Sequence, residues 1–230
     1  MFDVVKKYEK VSMELVEKYA ALEESASIHE SLGSNTRSVM DMDVRPVWPG
    51  MRICGPAFTV QTRLGDNLIV HKALDMLKPG DVLIIATGGN NTTGGLWGGM
   101  MSASAKQKGC AGMITDGAIR DSMLIKELNF PVFSRGLNVK GTTKALPGKI
   151  NHSIMICGVI INPGDLIFAD NDAVVVVPRE QAQEIYDKTM AREIKEAELL
   201  KKIQSGAGTT FNLSGFDAAY AKLGLSEEAD

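Results

Sequence analysis

Cysteines are scarce in this chain of 230 residues, and none lies close to another in the sequence. Cys54, Cys110 and Cys157 are odd in number and lack CxxC spacing, which argues against a disulfide framework and a zinc knuckle. We interpret them as core thiols of a protein in the reducing cytoplasm. A hydrophobic core must then stabilise the fold, and the length and the 44% apolar content suffice for one.

Strong charge and long apolar runs are also missing. The formal net charge is only -3, and no run of Lys or Arg forms a basic stripe, which argues against nucleic acid as the main ligand. No apolar run reaches the ~18 residues of a membrane span, and the N-terminal MFDVVKKYEK lacks the hydrophobic region of a signal peptide. We therefore expect a cytoplasmic protein that binds neither nucleic acid nor a membrane.

The N-terminal part of the chain carries a helical pattern over residues 2–32. A stripe of apolar residues at steps of three and four supports this prediction: Val11, Leu15, Tyr19 and Leu22. A separate short helix is expected over 26–32, with Gly33 as its C-terminal cap. Residues 34–50, which include two prolines and a glycine, are predicted to form a connecting loop.

From residue 53 onward, strand-like and helical segments alternate. Apolar and β-branched runs predict strands at 53–62, 81–86, 110–115 and 131–134. Helical segments are predicted between them, at 67–77, 100–108 and 122–128. This alternation predicts an α/β fold with βαβ units and an at least partly parallel sheet. The continuous run DVLIIA (81–86) fits a strand that is covered on both faces.

The C-terminal part has a different organisation. Residues 150–177 contain strand-like runs with no room for helices between them, so an antiparallel or barrel-like section is expected. A long charged helix should cover 179–204. We predict one main α/β domain over 34–205, which includes this C-terminal helix, after a helical arm over 1–33. The tail over 206–230 is expected to be loosely ordered.

A glycine-rich segment, TGGNNTTGGLWGGMM (87–101), lies between a predicted strand and a predicted helix. Its glycines allow backbone N–H groups to approach a ligand, and the start of the helix adds unpaired N–H donors and a positive dipole end. The pattern is typical of a carboxylate or phosphate site, although a flexible surface loop is the alternative. The absence of GKS, GKT and GxGxxG makes the signal for nucleotide binding weak.

The segment MITDGAIRD (113–121) places Arg120 beside Asp121 just after a buried strand. Because ligands gather at the carboxyl ends of parallel strands, this turn and the glycine-rich segment are expected to face one crevice. Arg120 offers a positively charged guanidinium whose paired N–H donors can bind a carboxylate or an enolate. Asp121 offers a hard oxygen ligand, and one carboxylate with waters and substrate oxygens is typical of magnesium. The alternative is that Asp121 caps the helix over 122–128 and Arg120 is solvated.

Three stretches together resemble the "regulator of ribonuclease activity A-like" (RraA-like) family: LWGGMMSASAKQKGCAGMITDGAIRD, PVFSRG and NPGDLIFADNDAVVVVPRE. The family includes the 4-hydroxy-4-methyl-2-oxoglutarate/4-carboxy-4-hydroxy-2-oxoadipate aldolases, and the resemblance covers residues 40–205. It implies a swivelling α/β/α-type domain with a mixed sheet. It also implies homotrimers or homohexamers with active sites at subunit interfaces.

The resemblance also implies roles for single residues. Asp121 would hold Mg²⁺ or Mn²⁺, and Arg120 would bind substrate oxygens. Backbone N–H groups of the segment Gly98, Gly99, Met100 and Met101 would bind the carboxylate of pyruvate, with Gly98, Met100 and Met101 as donors. Glu196, or else Glu193, would approach the metal site from the C-terminal helix of a neighbouring subunit. The alternative for these glutamates is a solvated helix face.

The sequence departs from the family pattern at Gly99. The aldolases carry Asp or Glu here, with twenty residues between this position and the Arg-Asp pair, and the carboxylate helps a water take the proton from the substrate hydroxyl. Such help is worth ~10²–10⁴-fold, so cleavage of the usual aldol substrates is in doubt. Decarboxylation of oxaloacetate gives the same enolate without that proton transfer and should persist. Loss of the carboxylate is also expected to enlarge the pocket for a bulkier or more anionic substrate.

Other candidates are weaker. His71 suits proton transfer near neutral pH and is a candidate to replace the missing base, although a surface or core histidine is the commoner case. Asp116 is a further candidate base, with turn capping as the alternative. Asn171-Asp172 is predicted as a hairpin turn, and Trp97 is expected to pack its loop onto the body. His29 and His152 show no metal-ligand spacing, so we assign them no role.

These observations predict a metal-dependent carbon–carbon lyase, an aldolase or decarboxylase, for a small 2-oxo acid. A protein-binding regulator of a ribonuclease, as some family members are, is the alternative from another class. A third hypothesis keeps the metal site and changes the substrate. Retention of both Arg120 and Asp121 favours the first hypothesis.

Overall fold

The computed structural model describes residues 3–33, 36–89 and 91–225. Its helices are α1 Met13–Ala20, α2 Ser25–Ser31, α3 Leu68–Met76, α4 Gly99–Gln107, α5 Ser122–Glu127, α6 Ala182–Gln204, α7 Thr210–Leu213 and α8 Phe216–Lys222. A short 3₁₀ helix spans Thr36–Ser38. Its strands are β1 Arg45–Pro46, β2 Ile53–Gln61, β3 Val82–Ala86, β4 Asn91–Trp97, β5 Gly112–Thr115, β6 Gly117–Ile119, β7 Val132–Ser134, β8 Gly136–Leu137, β9 Lys149–Ile150, β10 Ile154–Ile156, β11 Val159–Ile161, β12 Leu166–Ala169 and β13 Val174–Val177.

The main sheet has eight strands in a mixed arrangement, which confirms the predicted α/β fold. Its order is β1-β7-β5-β3-β2-β12-β13, with β9 also paired to β2. Strands β2, β3, β5 and β7 run parallel, whereas β1, β9, β12 and β13 are antiparallel to their neighbours. Every residue of β3 is buried, as its continuous apolar run predicted.

The two faces of this sheet are covered differently. Alternate residues of β3 point to opposite sides, so Leu83 and Ile85 pack with Val70 of α3 and Ala105 of α4. The other face, which includes Ile84, packs against the antiparallel hairpin of β10 and β11. The predicted antiparallel section of 150–177 is thus confirmed, since β12 and β13 also form a hairpin. One side of the sheet is left for the helices that carry the candidate site.

A second, smaller parallel sheet continues the first one. Its order is β4-β6-β8, and each of these strands follows a parallel strand of the main sheet after a few residues at most. A single residue separates the two sheets at Asp116 and again at Arg135. No strand was predicted in the glycine-rich segment, and this is wrong for Asn91–Trp97, because the neighbouring strand β6 provides hydrogen-bond partners that the local composition does not reveal.

The beginning of the chain corrects the predicted helix over 2–32. Residues 3–12 lie outside any helix, Val4 forms a β-bridge with Ile150, and Val11 N–H donates to the Gly164 carbonyl at 3.0 Å. Helix α1 begins only at Met13, because the Ser12 hydroxyl accepts from Leu15 N–H as an N-cap. The predicted apolar stripe is nonetheless buried: Val11, Leu15, Tyr19 and Leu22.

Gly33 ends α2 with a φ of +70° and donates to Glu30, as predicted. The loop over 34–50 contains the 3₁₀ helix and β1, and the tail contains α7 and α8. Parts of the predicted arm, loop, glycine-rich segment and tail lie outside the described residues, namely 1–2, 34–35, 90 and 226–230.

The three cysteines are free thiols inside the fold. Burial raises the pKa of Cys110 to about 11 and the pKa of Cys157 to about 12. Cys54, which donates to a backbone carbonyl of α1, has a pKa raised to about 12 by burial. Thiols in this state are inert near neutral pH, which agrees with a packing role.

The chain divides into two compact units, Met1–Tyr186 and Asp187–Asp230. The first unit contains the main sheet, the small parallel sheet and the β10–β11 hairpin, and the second contains most of α6 together with α7 and α8. The predicted boundaries at 33/34 and 205/206 stay a prediction. No helix within the described ranges has the length and apolar character needed to cross a bilayer.

Candidate active site

The candidate site lies at the carboxyl end of the small parallel sheet. Backbone hydrogen bonds join the ends of its three strands: Arg120 N–H donates to the Trp97 carbonyl at 2.9 Å, and Asn138 N–H donates to the Ile119 carbonyl at 2.9 Å. The Arg-Asp pair therefore emerges beside the start of α4. This arrangement brings together the glycine-rich segment and the turn that the sequence predicted to share a crevice.

Glycines allow the Arg-Asp pair to lie directly against the backbone of this edge. A Cβ on Gly98 would be 2.6 Å from Asp121 Oδ2 and 3.2 Å from Arg120 Cγ. A Cβ on Gly95 would be 3.0 Å from Arg120 Cβ. Any larger residue at these positions would push the two charged side chains away. Both glycines are therefore needed for the close approach of the pair to the strand.

Asp121 faces the start of α4 and not its own helix. It occupies the position before α5 with a φ of +60°, but its side chain makes no capping bond to α5. Its Oδ2 instead accepts from Gly99 N–H at 3.0 Å and lies 3.8 Å from Arg120 Nε. A left-handed conformation at a non-glycine residue is often found at functional sites. The geometry thus contradicts the alternative that Asp121 serves to cap α5.

A cavity of about 290 Å³ opens beside this pair. Its walls come from four segments: the start of α3, the β4–α4 junction, the β6–α5 turn and residues 141–144. The predicted residues that line it are His71, Gly98, Met100, Met101, Arg120 and Asp121. About half of each charged side chain of the pair is exposed, 47% for Arg120 and 46% for Asp121. A small anion can therefore reach both.

The start of α4 contributes donors to the same cavity. The N-cap residue of α4, Gly98, has no side chain to cap the helix, and Asp121 occupies the N–H of Gly99. The first intrahelical bond is that of Ser102 N–H to the Gly98 carbonyl. The amides of Met100 and Met101 belong to the first turn, whose N–H groups have no partner within a helix. Together with the positive end of the helix dipole, they suit a carboxylate.

The opposite wall carries two residues that sequence analysis missed, Asn67 and Lys144. They are accompanied by His71, which the sequence did suggest. Burial lowers the pKa of His71 below 6.5, and the positive charge of Lys144 lowers it further. His71 is therefore neutral at pH 7 and able to accept a proton. Lys144 lies in the polar segment GTTK, where nothing local distinguishes it from a solvated lysine.

The absence of a side chain at Gly99 is explained by the neighbouring Leu124 of α5. A Cβ on Gly99 would lie 2.9 Å from Leu124 Cγ and 3.2 Å from Leu124 Cβ. The volume that a side chain would need at position 99 is already filled. The expectation that loss of the carboxylate enlarges the pocket is therefore wrong at this position, because Leu124 packs there.

The other predicted candidates lie elsewhere. Asp116 accepts from Thr87 N–H at 2.8 Å between the two sheets, and burial raises its pKa. Asp170 accepts from Asp172 N–H within the β12–β13 turn, as a hairpin turn requires. Trp97 is fully buried and donates to Ser102 Oγ, so it packs in the core as expected.

Glu196 belongs to the second unit, where its carboxylate pairs with Arg192 at 2.6 Å along α6. The role of Glu196, or of Glu193, at the site of a neighbouring subunit stays a prediction.

The donor set suits one class of metal better than another. Among the described residues, no group of three or more His, Cys, Asp or Glu side chains could hold a metal ion. The cavity lining includes one carboxylate, that of Asp121. Such a site does not suit zinc, which takes three or four protein ligands. It fits Mg²⁺ or Mn²⁺, which accept one carboxylate together with waters and ligand oxygens.

Comparison with known proteins now identifies the family. The model of the RraA-like family, described as Aldolase/RraA, matches residues 25–176. The chain belongs to this family. A relative from Halalkalibacterium halodurans is 41% identical over 150 residues, which cover 65% of this chain and 71% of that protein. That relative is provisionally named a 4-hydroxy-4-methyl-2-oxoglutarate aldolase.

Solved structures agree with this RraA-like assignment. RraAS2 from Streptomyces coelicolor, described as an unusual member of the RNase ES inhibitor RraA protein family, is 30% identical with a TM-score of 0.75. It covers 83% of this chain and 98% of its own. An uncharacterized protein from Pseudomonas syringae pv. tomato is 27% identical with a TM-score of 0.76, covering 88% of this chain and 97% of its own. The α/β fold with N-terminal helices and a long C-terminal helix is thus that of RraA-like structures.

Proposed function

We propose that this RraA-like protein is a divalent-metal-dependent carbon–carbon lyase that acts on small 2-oxo acids. One observation carries the proposal: Arg120, Asp121 and the first-turn amides of α4 at Met100 and Met101 border the same small cavity. A cation, a carboxylate and backbone donors at one point are what a bound metal and an oxo-acid require. The name of the H. halodurans relative supports the same class of reaction.

Each group would have a defined task. A Mg²⁺ or Mn²⁺ ion would be held by Asp121 and would supply Lewis-acid stabilisation of negative charge on the substrate. The amides of Met100 and Met101 would bind the carboxylate next to the oxo group. Arg120 would stabilise the charge that develops on the oxo oxygen as the neighbouring carbon–carbon bond breaks. Lys144 would add positive potential and favour anionic substrates.

Decarboxylation of an oxaloacetate-type substrate is the reaction that this set supports best. Cleavage releases CO₂ and leaves an enolate, and no substrate hydroxyl has to lose a proton. Retro-aldol cleavage does need a base for that proton, and Gly99 provides none. Neutral His71 is the candidate base for the aldol reaction, because its lowered pKa keeps it able to accept a proton.

The test is pyruvate release from oxaloacetate and from 4-hydroxy-4-methyl-2-oxoglutarate, with Mg²⁺ or Mn²⁺, above the metal-only background. We expect faster release from oxaloacetate and its loss in Asp121→Asn. Asp172→Asn, in the hairpin turn outside the cavity, is the matched control and should retain activity. Equal rates for Asp121→Asn and wild type would remove the metal assignment.

Assembly into homotrimers or homohexamers is part of the proposal. A second cavity on the other side of the Arg-Asp pair is lined by Leu137 and Val139, which are 63% and 85% exposed. Met100 and Met123, on either side of the pair in the sequence, are also exposed. Exposed apolar side chains around a site are typical of a surface that another subunit covers.

Ribonuclease regulation is the second candidate function. It is supported by the description of the S. coelicolor structure as a member of an RNase ES inhibitor family. We expect that a regulator would bind a purified RNase E-type ribonuclease at micromolar concentration. Such binding should survive in Asp121→Asn if it is independent of the catalytic site. Absence of binding and of inhibition would count against this function.

A further inference from the structure

The cavity wall formed by Gly141, Thr142 and Lys144 lies outside all helices and strands. A segment of this kind has no backbone ladder to hold its side chains in place. The position of Lys144 at the cavity must therefore depend on contacts from elsewhere in the fold. One buried carboxylate, that of Asp66, makes three of them.

Asp66 is only 1% exposed, and its Oδ2 accepts three hydrogen bonds from the segment that contains Lys144. The donors are Thr143 Oγ1 at 2.8 Å, Ala145 N–H at 2.6 Å and Leu146 N–H at 3.1 Å. Backbone bonds reinforce the junction, since Thr143 N–H donates to the Gly65 carbonyl at 2.7 Å and Asn67 N–H donates to the Thr143 carbonyl at 3.2 Å.

The same carboxylate also fixes the start of α3. Its Oδ1 accepts from Leu68 N–H at 2.9 Å. Asn67 precedes that helix, and His71 N–H donates to the Asn67 carbonyl at 3.1 Å. His71 therefore lies one helical turn beyond the carboxylate that holds the Lys144 segment. Asp66 thus connects the two parts of this wall, which are more than seventy residues apart in the chain.

Asp66 retains its charge for this task. Burial acts to raise its pKa, but hydrogen bonds from Ala145, Leu68, Thr143 and Leu146 outweigh it, so the pKa of Asp66 is lowered. A charged acceptor makes stronger bonds than a neutral one. Asparagine has the same shape, but its amide can place an acceptor toward only one of the two elements. Substitution by asparagine therefore breaks the connection without a large change in volume.

We infer that Asp66 is a positioning residue that holds Lys144 against the cavity beside His71. The inference rests on the proposed function only in treating this cavity as the active site. Asp66 does not line the cavity itself and acts through the segment that it binds. Its loss should therefore resemble the loss of Lys144 in every property that depends on the lysine.

Two measurable properties depend on the position of Lys144 at the cavity. The first is the pKa of His71, which Lys144 lowers. Other charged groups also border His71, namely Arg120 and Asp121 across the cavity and Asp75 and Lys108 in the groove between α3 and α4. They remain in place in the variants, so a change in the His71 pKa reports on the lysine. The second property is KM for oxaloacetate.

The experiment compares Asp66→Asn, Lys144→Ala and the double variant in the full-length protein. The His71 pKa is measured by NMR titration of the imidazole. We expect it to rise toward 6.5 in all three variants, and KM to rise about tenfold in each. The double variant should be no worse than Lys144→Ala alone, because both changes remove the same interaction.

Asp165→Asn is the matched control, since Asp165 is also buried and accepts backbone N–H groups, those of Asn162 and Arg179, outside the cavity. It should leave the His71 pKa and KM unchanged.

Thr143→Val, which removes one of the bonds to Asp66, is the milder variant if Asp66→Asn does not fold. It should shift both properties in the same direction. A folded Asp66→Asn or Thr143→Val with the wild-type His71 pKa, or effects of Asp66 and Lys144 that multiply, would overturn the inference. The NMR result stands without activity, so it separates this inference from failure of the proposed lyase.

Discussion

At the scale of the single residue, Gly99 is explained by the neighbour that fills its space. Leu124 packs where a side chain at 99 would extend, so the absence of a carboxylate and the presence of leucine belong together. Sequence analysis could identify the missing acid but not the leucine. The two positions are far enough apart in the chain that only the packing of α5 against α4 relates them.

Gly99→Asp alone should therefore fail to create an aldolase. Overpacking against Leu124 is expected to cost about 1–3 kcal/mol of unfolding free energy. The paired variant Gly99→Asp/Leu124→Ala should recover that stability and raise cleavage of 4-hydroxy-4-methyl-2-oxoglutarate. Thermal unfolding and pyruvate release measure the two effects, with Leu124→Ala as the control. A stable and fully active Gly99→Asp variant would show that the leucine does not matter.

The lowered pKa of His71 predicts how the rate of aldol cleavage depends on pH. Its pKa is lowered by burial and then by Lys144, so it is neutral above about its usual 6.5 and becomes protonated only in more acid solution. If it is the base, kcat/KM for aldol cleavage falls with an acidic limb below pH 6.5. His71→Gln should remove that limb and about 10²-fold of the rate. Oxaloacetate decarboxylation, which needs no base, is the internal control, and an unchanged aldol profile would argue against His71.

At the scale of the element, apolar runs predicted the parallel strands well because burial on both faces leaves a clear pattern. Strands β2, β3, β5 and β7 all fall within predicted segments. Strand β4 was not predicted, since its glycines and threonines acquire strand structure only by pairing with β6. The Arg-Asp pair was predicted as a site because it follows a strand. Lys144 was not predicted, because the bonds to Asp66 hold its segment at the cavity and the two segments are far apart in the sequence.

The extended segment before α1 was also missed, since its partners lie near residues 150 and 164. Gly164 has a φ of +88°, and a Cβ there would lie 2.9 Å from Lys10 Cα. Gly164→Ala should therefore displace this segment and destabilise the fold by about 2–4 kcal/mol. Gly50 has a φ of +86°, and a Cβ there would have no atom within 4 Å. The Gly50→Ala variant therefore measures the cost of a positive φ alone, about 1 kcal/mol of unfolding free energy.

Thermal unfolding and hydrogen exchange over residues 3–11 measure the two glycine variants. We expect faster exchange of this segment in Gly164→Ala only. Equal destabilisation by both substitutions, with unchanged exchange, would show that the segment contributes little to stability.

At the scale of the whole molecule, the proposed assembly makes the site depend on two subunits. If Glu196 acts on the site of a neighbour, Asp121→Asn and Glu196→Gln are each inactive but complementary. Random mixing of the two in equal amounts should restore about a quarter of wild-type activity, since half of the sites retain Asp121 and half of the neighbours retain Glu196. Light scattering would establish the trimer or hexamer. No recovery in mixed, reassembled protein would argue that Glu196 lies on a solvated helix face.

The central claim is that Asp121 holds a divalent cation while Arg120 and the start of α4 hold a 2-oxo acid. The most direct measurement is calorimetric titration of Mn²⁺ into the protein with oxalate as a mimic of the enolate. The account predicts one cation site per chain in wild type and none in Asp121→Asn, with oxalate binding weakened in Arg120→Gln. Equal Mn²⁺ binding by wild type and Asp121→Asn would contradict it.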